Sequence, residues 1–152
     1  MTHTGRMLDN PKGSARLAQT WNVVTRLLVV TVFSQSIFAG VLLSGESWGR
    51  TAHGWTALGL VVATLLASIV AAVTLQNLRG GTRLAVLLAG LALLLVIQMV
   101  VGRLSAEGEN LLWLHVPLGV ALVGLTVQPL LVARRLSQGA EPATRPPSDE
   151  RL

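Results

Sequence analysis

Apolar residues in this chain neither alternate nor recur in a stripe; they gather into four long blocks separated by short polar segments. The blocks cover about residues 21–43, 51–76, 83–102 and 111–132. About 20 consecutive apolar residues cross a bilayer as an α-helix, which satisfies its own backbone where lipid offers no hydrogen-bonding partner. The pattern therefore predicts an all-α integral membrane protein, a bundle of four spanning helices. Between the blocks lie SGESWGR, NLRGGT with two glycines, and the polar RLSAEGEN, each of a length that joins neighbouring helices. The first block is too long for the apolar core of a signal peptide, and Ile37 stands where cleavage after Ala39 wants a small residue, so it reads as a retained helix. Residues 1–20 carry Gly5, Pro11 and Gly13 among polar residues and predict a flexible arm. Residues 133–152, rich in proline and charge, have little to bury and predict a disordered tail.

Composition agrees with a bilayer. Half the residues are hydrophobic (51%) and only 12% are charged, against roughly a quarter charged in a soluble domain. There is no cysteine, which excludes disulfides, thiolate metal sites and cysteine nucleophiles. The net charge of +5 does not point to nucleic acid, because the basic residues are spread over short arms and loops. They carry a topology signal instead. Arg6, Lys12, Arg16 and Arg26 precede or open the first helix, Arg79 and Arg83 flank the second loop, and Arg134 and Arg135 follow the fourth helix. The other two loops hold only Arg50 and Arg103 against Glu46, Glu107 and Glu109. The positive-inside bias places both termini in the cytoplasm. Trp48, Trp55 and Trp113 then fall at the outer interface and Trp21 at the inner one.

Outside the arm, where His3 carries no specific signal, the histidines are His53 and His115, each at the start of a predicted helix on the outer side. A shift of 62 positions, the difference between 115 and 53, also aligns Gly40 with Gly102 and Thr64 with Thr126; Gln35 and Gln98 correspond after a slip of one residue. The chain thus reads as two pseudo-repeated helical hairpins related by an axis along the membrane normal. Positions four and eleven after each histidine return near its face of the helix, and these are Ala57 and Thr64, Gly119 and Thr126. Small residues, Ala39 and Gly102, also stand four after each glutamine.

Two readings of the histidines remain open. In one they are interfacial residues bonded to loop groups, the small residues only pack helices, and the chain is a cofactor-free membrane subunit or assembly factor. In the other they face each other across the bundle and ligate the two faces of one b-type haem, with room beneath them for the flat ring. Arg50 and Arg103 would then be placed to pair with propionates, and Gln35 and Gln98 to support the ligands or to bridge helices. Zinc is a weaker candidate, since no compact set of about four donors is in sight.

The residues TAHGWTALG around His53, LWLHVPLG around His115 and QMVVG from Gln98 to Gly102 resemble one four-helix half of the haem A synthase superfamily, over roughly residues 21–132. Each half of that family carries haem-ligating histidines on its second and fourth helices, which the resemblance carries onto His53 and His115. The plan is also similar to that of small actinobacterial four-helix membrane proteins, a likeness that implies no activity. The synthase has eight helices where this chain has one half, and its acidic residue near the catalytic haem has no counterpart in any predicted span. Haem methyl oxidation is accordingly not implied. Hydrolase and phosphoryl-transfer motifs are missing as well. The expectation is a haem-binding protein for electron transfer or haem handling, without catalytic activity of its own, whose partners are the lipid bilayer and a redox partner or a second copy of itself.

Overall fold

Every apolar block is helical, though the helix ends differ from the block ends. The computed structural model describes residues 11–139, with α1 over Pro11–Leu43, α2 over Ser47–Thr74 and α3 over Gly81–Ala106. The fourth block is divided into α4, Leu112–Leu125, and α5, Val127–Gly139, which together make one segment long and apolar enough to cross a membrane. Four helical segments are thus long and apolar enough to cross a membrane, and no strand occurs among the described residues.

Two predicted boundaries are corrected. The arm expected over 1–20 is helical from Pro11, and the tail expected from 133 is helical to Gly139. The rest of both segments, with His3, lies outside the described residues. The two polar segments support each other, because α1 packs along α5. Leu17 and Leu136 join the same apolar cluster, and Asn22 Nδ2 lies 3.5 Å from Ser137 Oγ. An apolar block marks what lipid would cover; a helix continues wherever a neighbour lines its polar end.

The packing order is cyclic. α1 lies against α2 and α5, α2 against α3, and α3 against α4 and α5, while the backbones of α1 and α3, and of α2 and α4, stay apart across the interior. Two layers fill the interior. Near the chain ends Trp21, Ala71, Leu75, Leu84, Ala85, Leu88, Val132 and Ala133 form one cluster, and Val32, Leu60, Val61, Leu91, Leu95 and Leu122 form the next. Trp21, expected at an interface, is a core residue at 5% exposure; Trp48, Trp55 and Trp113 are exposed. The outer surface is apolar along its length, with Leu27, Val30, Phe33, Leu66, Val73, Val86, Leu93 and Val120 all exposed. Such a surface suits lipid and not water.

Beyond the second layer, towards the α1–α2 and α3–α4 turns, the packing changes character. From Phe33 to Gly59 only Gly49 is buried, and from Val96 to Ala121 no residue is. α1 packs closely on α5 and only lightly on α4. The bundle is solid at one end and loosely filled at the other.

Candidate functional site

The loosely filled end holds both histidines. His53 sits in the second turn of α2 and His115 in the first turn of α4, and these two helices are diagonal neighbours across the interior. Glycines in the left-handed backbone region, Gly45 at φ 94° and Gly108 at φ 110°, reverse the chain just before each of these helices. Both imidazoles are half-buried, with ring centroids 6.2 Å apart and ring planes inclined at 78°.

Each histidine is set by the preceding helix. Gln98 on α3 donates from Nε2 to the peptide oxygen of His115 at 2.8 Å. Gly119 makes this reach possible, for a Cβ there would lie 3.0 Å from Gln98 Nε2. The imidazole of His115 rests on Gly102, where a Cβ would come within 2.6 Å of Cε1 and 3.0 Å of Nδ1. On the other side Gln35 of α1 donates to the hydroxyl of Thr56, which donates in turn to the Ala52 carbonyl. The peptide groups of Gln35 and Gln98 are electrostatic neighbours of the His53 and His115 imidazoles respectively.

Sequence reasoning singled out both glutamines and both histidines, and these four gather at one level. It missed Thr56, which passes the Gln35 contact on to α2; the signal was a hydroxyl three residues after His53. Arg50 and Arg103 are at the same end but on the surface. Arg103 Nε meets Glu107 Oε1 at 3.2 Å, with the two side chains 82% and 59% exposed, a pair worth about 0–1 kcal/mol. Arg50 is exposed in the first turn of α2.

Unpaired polar atoms concentrate here. Nδ1 of His53, Nδ1 of His115, Oε1 of Gln35 and Oε1 of Gln98 are all buried without a hydrogen-bond partner. Each such group costs about 1–3 kcal/mol.

Comparison with protein-family models, curated proteins and solved structures finds no match to this chain. What the site can do therefore rests on its own geometry. A metal bonds an imidazole nitrogen at about 2.0–2.1 Å and the ring centre lies about 1.1 Å further on, so two imidazoles on opposite sides of one metal have centroids about 6.3 Å apart. The observed 6.2 Å fits that arrangement, and the 78° angle excludes stacked rings. Two imidazoles suffice for an iron whose other four ligands come from a porphyrin. They fall short of a protein-built zinc site: among the described residues no three His, Cys, Asp or Glu side chains gather.

Proposed function

We propose that this chain is an integral membrane protein built of two related helical hairpins, with both termini in the cytoplasm, and that it holds one b-type haem between His53 and His115 near the outer face, for electron transfer or haem handling. The observation that carries the reading is the pair of imidazoles brought from diagonal helices to a centroid separation of 6.2 Å, in the one part of the bundle without a packed apolar core.

Three further features support it. The histidines provide a nitrogen on each side of the interior. Gln35 and Gln98 hold the ligand-bearing helices from equivalent places on α1 and α3, which is also the best support for the duplication. Arg50 and Arg103 stand at the rim, where a propionate would replace the exposed Glu107 as the partner of Arg103 at little cost. Bound haem would supply a one-electron couple, with a potential that its axial ligands and burial set. No acidic side chain lies within the described interior, so the residues present argue for holding a cofactor and not for proton-coupled oxidation of one.

A second reading rests on the same pair, since 6.2 Å and 78° also describe an edge-to-face contact of two rings. The chain would then be a cofactor-free subunit or assembly factor in which the imidazoles close a helix interface. Colour separates the two. Expressed with added haem and purified in detergent, the protein is expected to show a Soret band and a low-spin bis-histidine spectrum, and His53→Ala and His115→Ala are each expected to abolish that low-spin spectrum. Colourless protein under these conditions, or a surviving bis-histidine spectrum in either variant, would overturn the haem reading.

A further inference from the structure

We infer that the segments Gln35–Ala39 on α1 and Gln98–Gly102 on α3 are positioning elements: each turns the Nδ1–H of the facing histidine towards the peptide carbonyl of its glutamine and leaves Nε2 as the free nitrogen. The inference deepens the haem reading, which supplies its purpose, but it concerns the imidazoles alone.

The argument starts from helix geometry. In an α-helix the carbonyl of residue i points along the axis towards residue i+4, whose side chain covers it. Where residue i+4 is small, a group on the neighbouring helix can approach that carbonyl. Four residues after Gln98 stands Gly102, and four after Gln35 stands Ala39. The His115 ring occupies the space that a Gly102 side chain would take: a Cβ there would be 2.6 Å from Cε1, 3.0 Å from Nδ1 and 3.3 Å from Nε2. The Cε1 corner therefore faces α3 with a nitrogen on either side, and Nδ1, slightly the nearer of the two, is buried without a partner. The peptide group beneath that gap, that of Gln98, is an electrostatic neighbour of the His115 imidazole, and Gln35 has the same relation to His53.

Satisfaction of buried groups points the same way. Nδ1 of each histidine is buried without a partner, and a helix carbonyl has a second lone pair to offer after making its own bond. A proton on Nδ1 lets a slight turn of the ring satisfy the atom; a bare Nδ1 would face an acceptor and stay unpaired. The glutamine side chains act separately, as tethers: Nε2 of Gln98 holds the His115 carbonyl, and Nε2 of Gln35 holds Thr56. Metal-bound histidines generally donate their second ring N–H in this way, which fixes the tautomer and raises the basicity of the ligating nitrogen.

The test reads the tautomers without haem. Full-length protein carrying ring-15N histidine, prepared haem-free in detergent at about pH 8, where an imidazole of ordinary pKa is neutral, is examined by 15N NMR. Signals are assigned by difference from His53→Gln and His115→Gln. His53 and His115 are expected to show a protonated Nδ1 and a pyridine-type Nε2, and Gly102→Ala is expected to return His115 to mixed tautomers while His53 keeps its own. Dominant Nε2–H forms at both positions in the unsubstituted protein overturn the inference, whatever the variant does. Because no haem is present, a colourless protein leaves this test intact, and a red protein with Nε2–H histidines sinks this inference and not the haem reading.

Discussion

A hydroxyl or amide in an apolar bundle has few places to go, and in this chain most hydroxyls turn back on their own helix. Thr25, Thr31, Ser34, Ser36, Thr74 and Ser105 each donate to a carbonyl three or four residues earlier, so none of them needs water or a neighbour. Gln98 is different, because its amide crosses to α4, and Gly119 is the residue that lets it. Gly119→Ala puts a methyl 3.0 Å from Gln98 Nε2 and pushes the amide off the His115 carbonyl. The expected loss is about 0.6 kcal/mol and at most about 1.7 kcal/mol, the average and the maximum measured for hydrogen bonds between membrane helices, read by unfolding in mixed micelles. In a Gln98→Leu background the same change is expected to cost markedly less, which a double-mutant cycle would show; equal costs in both backgrounds would mean that the bond is not what Gly119 protects. The histidines themselves were legible from sequence because imidazoles are scarce in so apolar a chain and recur at one spacing. The partners of the two glutamines were not. An amide on an apolar run can reach any neighbouring helix, and only packing selects Thr56 for one and a peptide oxygen for the other.

At the scale of elements, the last span is the irregular one. Pro129 has no N–H for the Leu125 carbonyl, and its ring crowds that turn, so the helix breaks at Thr126 between α4 and α5. Thr126 N still reaches the Leu122 carbonyl at 3.1 Å, but the next bond, Leu130 N to the Thr126 carbonyl, has stretched to 3.5 Å. Pro117 also lies inside α4, where it likewise has no N–H for the Trp113 carbonyl. The amides of Val127, Gln128 and Leu130 are therefore expected to exchange with solvent faster than those of Leu91 to Leu95 in α3, and Pro129→Ala to slow them by restoring the missing donor. Hydrogen exchange followed by mass spectrometry measures both; protection already uniform along the span would refute the break. Four spans were readable as apolar blocks, but not their ends. Residues 12–20 and 133–139 are polar, and their helicity comes from lying against each other, a long-range fact that no local pattern carries. Trp21 was misplaced for the same reason: an indole near the end of a span reads as interfacial until a neighbouring helix covers it.

For the whole molecule, the cyclic order of the helices is what turns two similar hairpins into a site. With α2 diagonal to α4, residues at the same depth on those helices face each other, whereas adjacent placement would leave the imidazoles side by side. The order also puts all three acidic side chains among the described residues, Glu46, Glu107 and Glu109, at the histidine end, and Arg16, Arg79, Arg83, Arg134 and Arg135 at the opposite end. The proposed orientation follows from that asymmetry, and it can be read directly because the chain has no cysteine of its own. Ser44→Cys and Glu109→Cys, in the two turns beside the histidines, are expected to react with a membrane-impermeant maleimide in intact cells. Asn77→Cys and Gln138→Cys, both exposed at the opposite end, are expected to react only after lysis. The reverse pattern would turn the candidate site towards the cytoplasm. It would leave the fit of the two imidazoles untouched and change only the compartment from which an electron or a haem reaches them, so orientation and ligation are separable claims.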